Sequence, residues 1–543
     1  MLIHLLLACR GPDPGTADRA PGPLPDPAPQ PSPTVPVPTG GRELKPAQPD
    51  GHLVPPWDCA QIKMTRAWEL GSGADDSMEL LAPMPGGDMI VVGDVMSPID
   101  FGNGVVGTPL NADDLVVARI QPDGNAVWAK ILSGGFIQTG GLAVDPTGRI
   151  AVSGEYNDPL IFEAGTPDAV VFGSSYLSSG FVAILDSNGA LIWARTIQGD
   201  GVNERADAVA FDADGSVWAT GAFDAASTTV SFGEPDGVTI TGGDTDPNGD
   251  DAWLAHFDAA GALLGVGWAV GEGDQRGEMV AARPAGGVDV VISHAGSDTF
   301  VAPAGAAQLL PADGSVEAIV RLDSDGAFVQ ALALPELIGL HGLNYRGPDL
   351  VAALLVQLPA SFPSWDGSPS LELAESPLGP FAGLVTWRSG VGPVSGELIA
   401  ATESLSVSAA GMAAALQVSG DVVLMPETTA IELDEAHSSG STRPGAVAWN
   451  STSSLVCAVD IELSAGTFAS NSRFNAALDE AGGVWLAGQF REASVLIEAY
   501  PGGPEAAVLE ATLPEDDQGF LVRWQLWPTA IDTAPPPPPR ASP

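Results

Sequence analysis

A pattern of two unlike hairpins, returning about every 67 residues, constrains this chain more than any other feature. The first hairpin is an apolar run, a turn with Gly, then a second apolar run closing on a small residue and an aromatic. Its clearest copies are AVAFDADGSVWATGAF (208–223), LAVDPTGRIAVSGEY (142–156) and AALDEAGGVWLAGQF (476–490). In these the turn and closing glycines keep one spacing: Gly215 and Gly221, Gly148 and Gly154, Gly482 and Gly488, with Gly87 and Gly93 as a fourth pair. Gly287, Gly347 and Gly411 begin weaker copies in which Ser293, Ala353 and Gln417 stand at the closing place. A turn glycine takes positive φ without steric cost, and a small residue at the strand end lets another backbone come close.

The second hairpin reads DLVVARIQPDGNAVW (114–128), GFVAILDSNGALIW (180–193), DAWLAHFDAAGALLG (251–265) and EAIVRLDSDGAFVQ (317–330), with fainter copies at 383–390, 445–457 and 519–527. Its centres fall at Ala118, Ala183, Ala255, Val320, Thr386, Ala448 and Val522. A fixed period is the mark of a repeat architecture, and two hairpins per period give four antiparallel strands per unit. The expectation is an all-β chain: a seven-bladed β-propeller of four-stranded antiparallel blades over residues 58–528. The period exceeds that of common propeller repeats, and the surplus lies between the hairpins, as in 224–250. The last unit lacks a fourth strand. The segment Ile62 to Leu70 ends RAWELGSG, like the fourth strands WAKILSGG and WARTIQGD, and is expected to complete that unit by pairing with 519–527. Such pairing removes an open sheet edge.

The flanks read differently. Residues 1–8 are an apolar signal segment, short for its kind, and Leu6-Leu7-Ala8-Cys9 resembles a lipobox, which makes Cys9 the lipidation site. From 9 to 57 proline recurs at alternate positions, so a disordered, extended Pro-rich linker is expected, and 529–543 forms a short Pro-rich tail. No stretch is long and apolar enough to be a membrane-spanning helix, so the lipid is the expected membrane contact.

Charge narrows the partners. With 68 acidic residues against 21 basic ones the net charge is −47, which repels phosphate backbones and argues against nucleic acid. It also keeps a monomer dispersed. Asp244, Asp246, Asn248 and Asp250 follow the alternating carboxylate pattern of calcium loops, with Gly249 for the turn, and are the candidate Ca²⁺ ligands. The position three after that glycine is Ala252, where an acidic residue would be expected. No other cofactor is called for. Of the three cysteines, Cys59 and Cys457 form a candidate disulfide under export conditions.

The hairpin pairing resembles the seven-bladed β-propeller repeats of surface lipoproteins from high-GC bacteria, including myxobacteria. The likeness covers about 58–528 and is strongest in the second and third units. It implies a cell-envelope lipoprotein, on the outer membrane or the cell surface, and brings no catalytic residue with it. None of the six histidines has zinc spacing, and His256, at the strand position of Arg119, reads as a surface residue. Gly102 to Gly107 match a dinucleotide fingerprint, but no helix follows. The expected function is therefore a rigid interaction scaffold for a protein or glycan at the cell surface. A propeller enzyme, hydrolase or lyase, with a site in the central channel is the alternative, and calcium-dependent adhesion is another. Lack of convergent His, Cys or Lys favours binding over catalysis.

Overall fold

The computed structural model describes residues 63–525 apart from connecting segments, among them 71–75, 241–248, 311–316, 374–380, 433–442 and 464–474. The signal segment, Cys9, the linker, Cys59 and the C-terminal tail lie outside the described residues. The described residues fall within the compact unit 42–543. They are all-β, and no helix among them is long and apolar enough to cross a membrane.

The strands form a β-propeller. Six four-stranded antiparallel sheets are each contiguous in the chain and are called blades 1 to 6: 80–133, 137–199, 205–270, 276–333, 337–398 and 402–463. A further four-stranded sheet is composite. It joins Asn475–Leu478, Gly483–Phe490 and Gln518–Gln525 to the strand Lys63–Leu70 from the other end of the chain. Ala67 faces Val522 and Leu70 faces Gly519, so the expected closing strand is present. The innermost strands touch in cyclic order, blade 1 to blade 6, then the composite sheet, then blade 1 again.

In blades 1 to 4 both faces are buried, which explains why their central strands read as continuous apolar runs and do not alternate. Val152, Phe181 and Ala183 of blade 2 pack against Ile90, Val92, Leu115 and Val117 of blade 1. Their neighbours Ala151, Val182 and Ile184 point the other way, into Val217, Ala219, Phe223 and Trp253 of blade 3. Each core is thus shared by two blades, and no blade owns one.

Polar links join the blades at the lower hairpin turns. Arg119 of blade 1 bonds Asp88 (2.7 Å) and donates to the Ser187 carbonyl of blade 2 (2.9 Å). Arg149 of blade 2 holds Asp145 and donates to Gly215 of blade 3. The tryptophans of the fourth strands act likewise: the Trp128 indole donates to Ser187 and the Trp193 indole to Ala259 of the next blade.

The surplus between hairpins has a structural purpose that the sequence did not disclose. In blade 2 it forms the hairpin Leu160–Phe162 and Val170–Phe172, which adds to the outer strand of blade 1 (Ile161 faces Ser133). The equivalent hairpin of blade 3, Val230–Phe232 with Thr239–Ile240, adds to blade 2. That of blade 4 adds to blade 3, and that of the composite sheet adds to blade 6. Each hairpin covers part of a neighbour's exposed edge, which would otherwise invite pairing with another chain.

Two expectations need correction. The closing places fall one residue from those expected in the weaker copies: Ile292, not Ser293, in blade 4, where it faces Gly277, so the glycine has moved to the partner strand; Leu354, not Ala353, in blade 5; and Leu416, not Gln417, in blade 6. His256 is not a surface residue. It is 5% exposed, stacks on Trp218 at 3.8 Å between ring centres, and its Nε2 lies 2.8 Å from Ser216 Oγ. Burial lowers its pKa, against the opposing charges of Asp212 and Asp214.

Candidate functional site on the inner wall

The innermost strands share a defect. Their register steps from Thr139 to Gly141, Ala206 to Ala208, Gly277 to Met279, Leu340 to Gly342 and Thr402 to Ser404. The extra residues are Gly140, Asp207, Glu278, His341 and Glu403. A β-bulge re-aims the side chain it carries and is a recurrent device beside functional sites. The closing glycines make room for it. A Cβ at Gly154 would run into the Gln138 carbonyl, and one at Gly221 into that of Arg205. In blade 1, Glu79 occupies the matching place, just ahead of Leu80, with its N–H on the Val92 carbonyl (2.9 Å). One level of the inner wall thus carries Glu79, Asp207, Glu278 and His341.

The wall is knit across blades. Thr139 of blade 2 donates its hydroxyl to the Glu79 carboxylate of blade 1, which also accepts from Ser77 (3.3 Å). Arg276 of blade 4 grips Asp207 of blade 3 with Nε at 2.9 Å and Nη2 at 2.6 Å. Arg205 bonds Asp250 at 2.7 Å and has its Nε 3.5 Å from Asp207. Bidentate guanidinium–carboxylate pairs are strong and directional. Acid and base therefore alternate from Asp250 through Arg205 and Asp207 to Arg276. In a chain with so few basic residues, two arginines at this level are a concentration.

Two buried carboxyls border the same end. Glu317, 7% exposed, heads the third strand of blade 4; burial first, then the negative charge of Glu278, pushes it up to about 8. Glu204, fully buried, precedes Arg205. Burial pushes it up to about 7, against the Ser227 hydroxyl that donates to it at 3.1 Å. Each stays protonated in the folded chain over a range where the unfolded chain has released its proton. Stability should therefore fall as pH rises from about 4.5 towards 8, by on the order of a few kcal/mol. Thermal melts across that range check this: Glu317→Gln with Glu204→Gln should flatten the decline, and an unchanged slope would refute the assignment.

The calcium loop is met only at its end. Asp244, Asp246 and Asn248 lie outside the described residues. Asp250 is committed to Arg205 and to Asn203 (3.3 Å), and burial raises its pKa against the pull of Arg205. Among the described residues no three His, Cys, Asp or Glu side chains are grouped to hold a metal. Cys457 pairs with Ala448 in the outer strand of blade 6, at the register place of Trp128 and Trp193. Its candidate partner Cys59 lies outside the description. His256 and Ser216 make a buried pair capped by Trp218, 5% and 3% exposed, and serve packing.

Motif searching missed the inner wall, although a signal existed. Asn203-Glu204-Arg205-Ala206-Asp207 and Asp274-Gln275-Arg276-Gly277-Glu278 are two copies of one pentapeptide pattern, each ending on its bulge residue.

No protein-family model matches the chain, and neither does any curated protein. Solved structures similar to this chain include the following two. One is a protein of unknown function from Dyadobacter fermentans, with TM-score 0.35 and 12% identity over 86% of this chain and 99% of that one. The other is the extracellular domain of a candidate one-component system from B. thetaiotaomicron, with TM-score 0.19 and 10% identity over 86% of this chain and 83% of that one.

Proposed function

We propose that the chain is a cell-surface lipoprotein anchored through Cys9, whose ring is a rigid binding scaffold for a glycan. Counting the composite sheet as a blade makes the ring seven-bladed. The observation that carries this reading is the inner wall. Blades 3, 4 and 5 deliver Asp207, Glu278 and His341 to one level through the same bulge, Glu79 of blade 1 stands at the matching place, and the Asp207–Arg276 pair spans two blades. Alternating donors and acceptors held by a rigid framework suit a polyhydroxylated ligand, because little ordering remains to be done on binding.

A glycan array probed with the purified ring tests the reading. Wild-type chain should retain specific glycans, and Glu79→Gln with Glu278→Gln should reduce retention at least roughly tenfold, the loss expected for one or two charged hydrogen bonds. Retention indifferent to both substitutions would overturn it and turn attention to the outer loops.

The structure also favours one observation of the enzyme reading. Within blade 4 the negative charge of Glu278 reaches Glu317, and burial keeps Glu317 protonated, as a general acid requires. Hydrolysis of any glycan retained on the array would convert the scaffold into an enzyme.

A further inference from the structure

The outermost of the four strands in each blade carries a defect of its own. Just after the lower turn its register slips by one residue, and the extra residues of blades 1 to 6 are Val127, Ile192, Leu264, Val329, Val394 and Val456. All six are branched aliphatics; the composite sheet has Thr65 at this place. In blades 1 to 4 these side chains are 43%, 47%, 59% and 51% exposed, while the residues on either side of each are more buried. A bulge re-aims the side chain it carries, and here it turns an aliphatic outwards. Exposed apolar residues scattered singly need no explanation, but one position repeated in six successive blades is not scatter. Edge protection does not account for it either, because that purpose is served by charge, lysine above all. The borrowed hairpins leave the stretch bare. They pair higher on the same strands, at Leu132 and Ser133, at 197–199 and at 268–270.

Acid stands beside each of the four described aliphatics. The preceding turns hold Asp123, Asp186, Asp258 and Asp323, the last with the exposed Asp325. The first four accept from amides of their own turns at 2.8–3.0 Å, and none of the five is in an ion pair among the described residues. The arginines of the same end are already held, Arg119 by Asp88 and Arg321 by Asp289. The lower rim thus repeats one unit around the ring: an uncompensated carboxylate, then an outward aliphatic.

From this we infer that the lower rim docks a polypeptide whose contact face combines basic with aliphatic side chains and spans more than one blade. Charge complementarity selects that occupant. A second copy would bring matching acidic turns together, on chains that each carry −47. A lipid surface is the nearer rival, since both flanks of the ring leave from this end, at Lys63 and Gln525. It fits less well because anionic headgroups repel the same turns. The rim lies on the outer strands, apart from the inner wall, so the glycan reading and this one stand or fall separately.

The test uses the full chain and two synthetic peptides of equal length and charge, one alternating lysine with valine and one alternating lysine with serine. Fluorescence anisotropy at physiological salt should show the lysine–valine peptide binding at least roughly tenfold more tightly, the gain expected from burying one or two aliphatics. The variant Val127→Ser, Ile192→Ser, Leu264→Ser, Val329→Ser keeps every charge and should bind both peptides equally weakly. Its melting curve verifies the fold, and Leu264→Ser alone, at the most exposed of the four sites, should show part of the loss. Equal binding of the two peptides by wild-type chain, binding of neither, or wild-type affinity in the fourfold variant would overturn the inference. Phosphatidylcholine vesicles that float the wild-type chain but not the variant would also overturn it, by giving the row to a lipid surface. So would sedimentation of the wild-type chain as a dimer that the variant does not form.

Discussion

Removal of residues 63–70 should lower the melting temperature by several degrees, and should broaden the transition. The strand supplies seven of the residue pairs that complete the composite sheet. Trp68 stacks on Trp485 with ring centres 6.0 Å apart, and Leu70 is 2% exposed in the core shared with blade 1. Burying two such side chains stabilises by about 1.5–3 kcal/mol each, before any ladder hydrogen bond is counted. At about 2.1 cal/mol/K of unfolding entropy per residue, each kcal/mol is worth only about 1 °C in a chain of this size. Deletion also leaves Gln518–Gln525 as a bare edge and unseals a ring whose cores are all shared. Differential scanning calorimetry of the truncated chain measures the effect, and a synthetic peptide of residues 63–70 added in excess should recover part of it. A melt that matches the full chain would mean that the closing strand contributes nothing to the fold.

Asp479→Ala should cost about 3–5 kcal/mol, the range for leaving a buried charge without its partner. Asp479 is fully buried at the turn of the composite sheet. It accepts from the Gly483 N–H at 2.7 Å, the Trp485 indole at 2.8 Å and Arg523 Nε at 2.9 Å. Arg523 is itself only 1% exposed, so removal of the carboxylate strands a guanidinium inside the protein. Urea unfolding gives the free energy. The double variant Asp479→Ala, Arg523→Met should regain much of the loss, because it removes both buried charges together. A single variant within about 1 kcal/mol of wild type would show that solvent reaches Arg523.

The sequence disclosed whatever depends on strand alternation and turns. The period, the two hairpins and the closing strand before Gly71 could all be read because each is local, or repeats something local. The hairpins between Tyr156 and Ser179 and between Asp224 and Asp250 could be seen as surplus. Their partner strands belong to the preceding blade, and no local pattern announces a partner so far away. Ile292 shows a second limit: a close approach of two backbones needs a glycine on one side only, and in blade 4 it is Gly277. The inner wall was the hardest to foresee. A bulge inserts one residue and shifts the alternation, so Asp207 and Glu278 look like polar interruptions of an apolar strand. His256 misled for a related reason. Its position in other blades holds an arginine that reaches a neighbour, and a smaller ring there turns onto Trp218.

The borrowed hairpins also bear on how the chain emerges during synthesis. Blade 1 cannot complete its rim until residues 160–172 have been made, and blade 2 waits in the same way for 230–240. At blades 1, 2, 3 and 6 the growing chain therefore carries an unfinished border until the next sector supplies its hairpin. Premature termination after residue 270 would leave blade 3 without the strands 299–309 that should cover it. Such fragments would be the sticky ones, and an organism making this protein has reason to degrade them quickly.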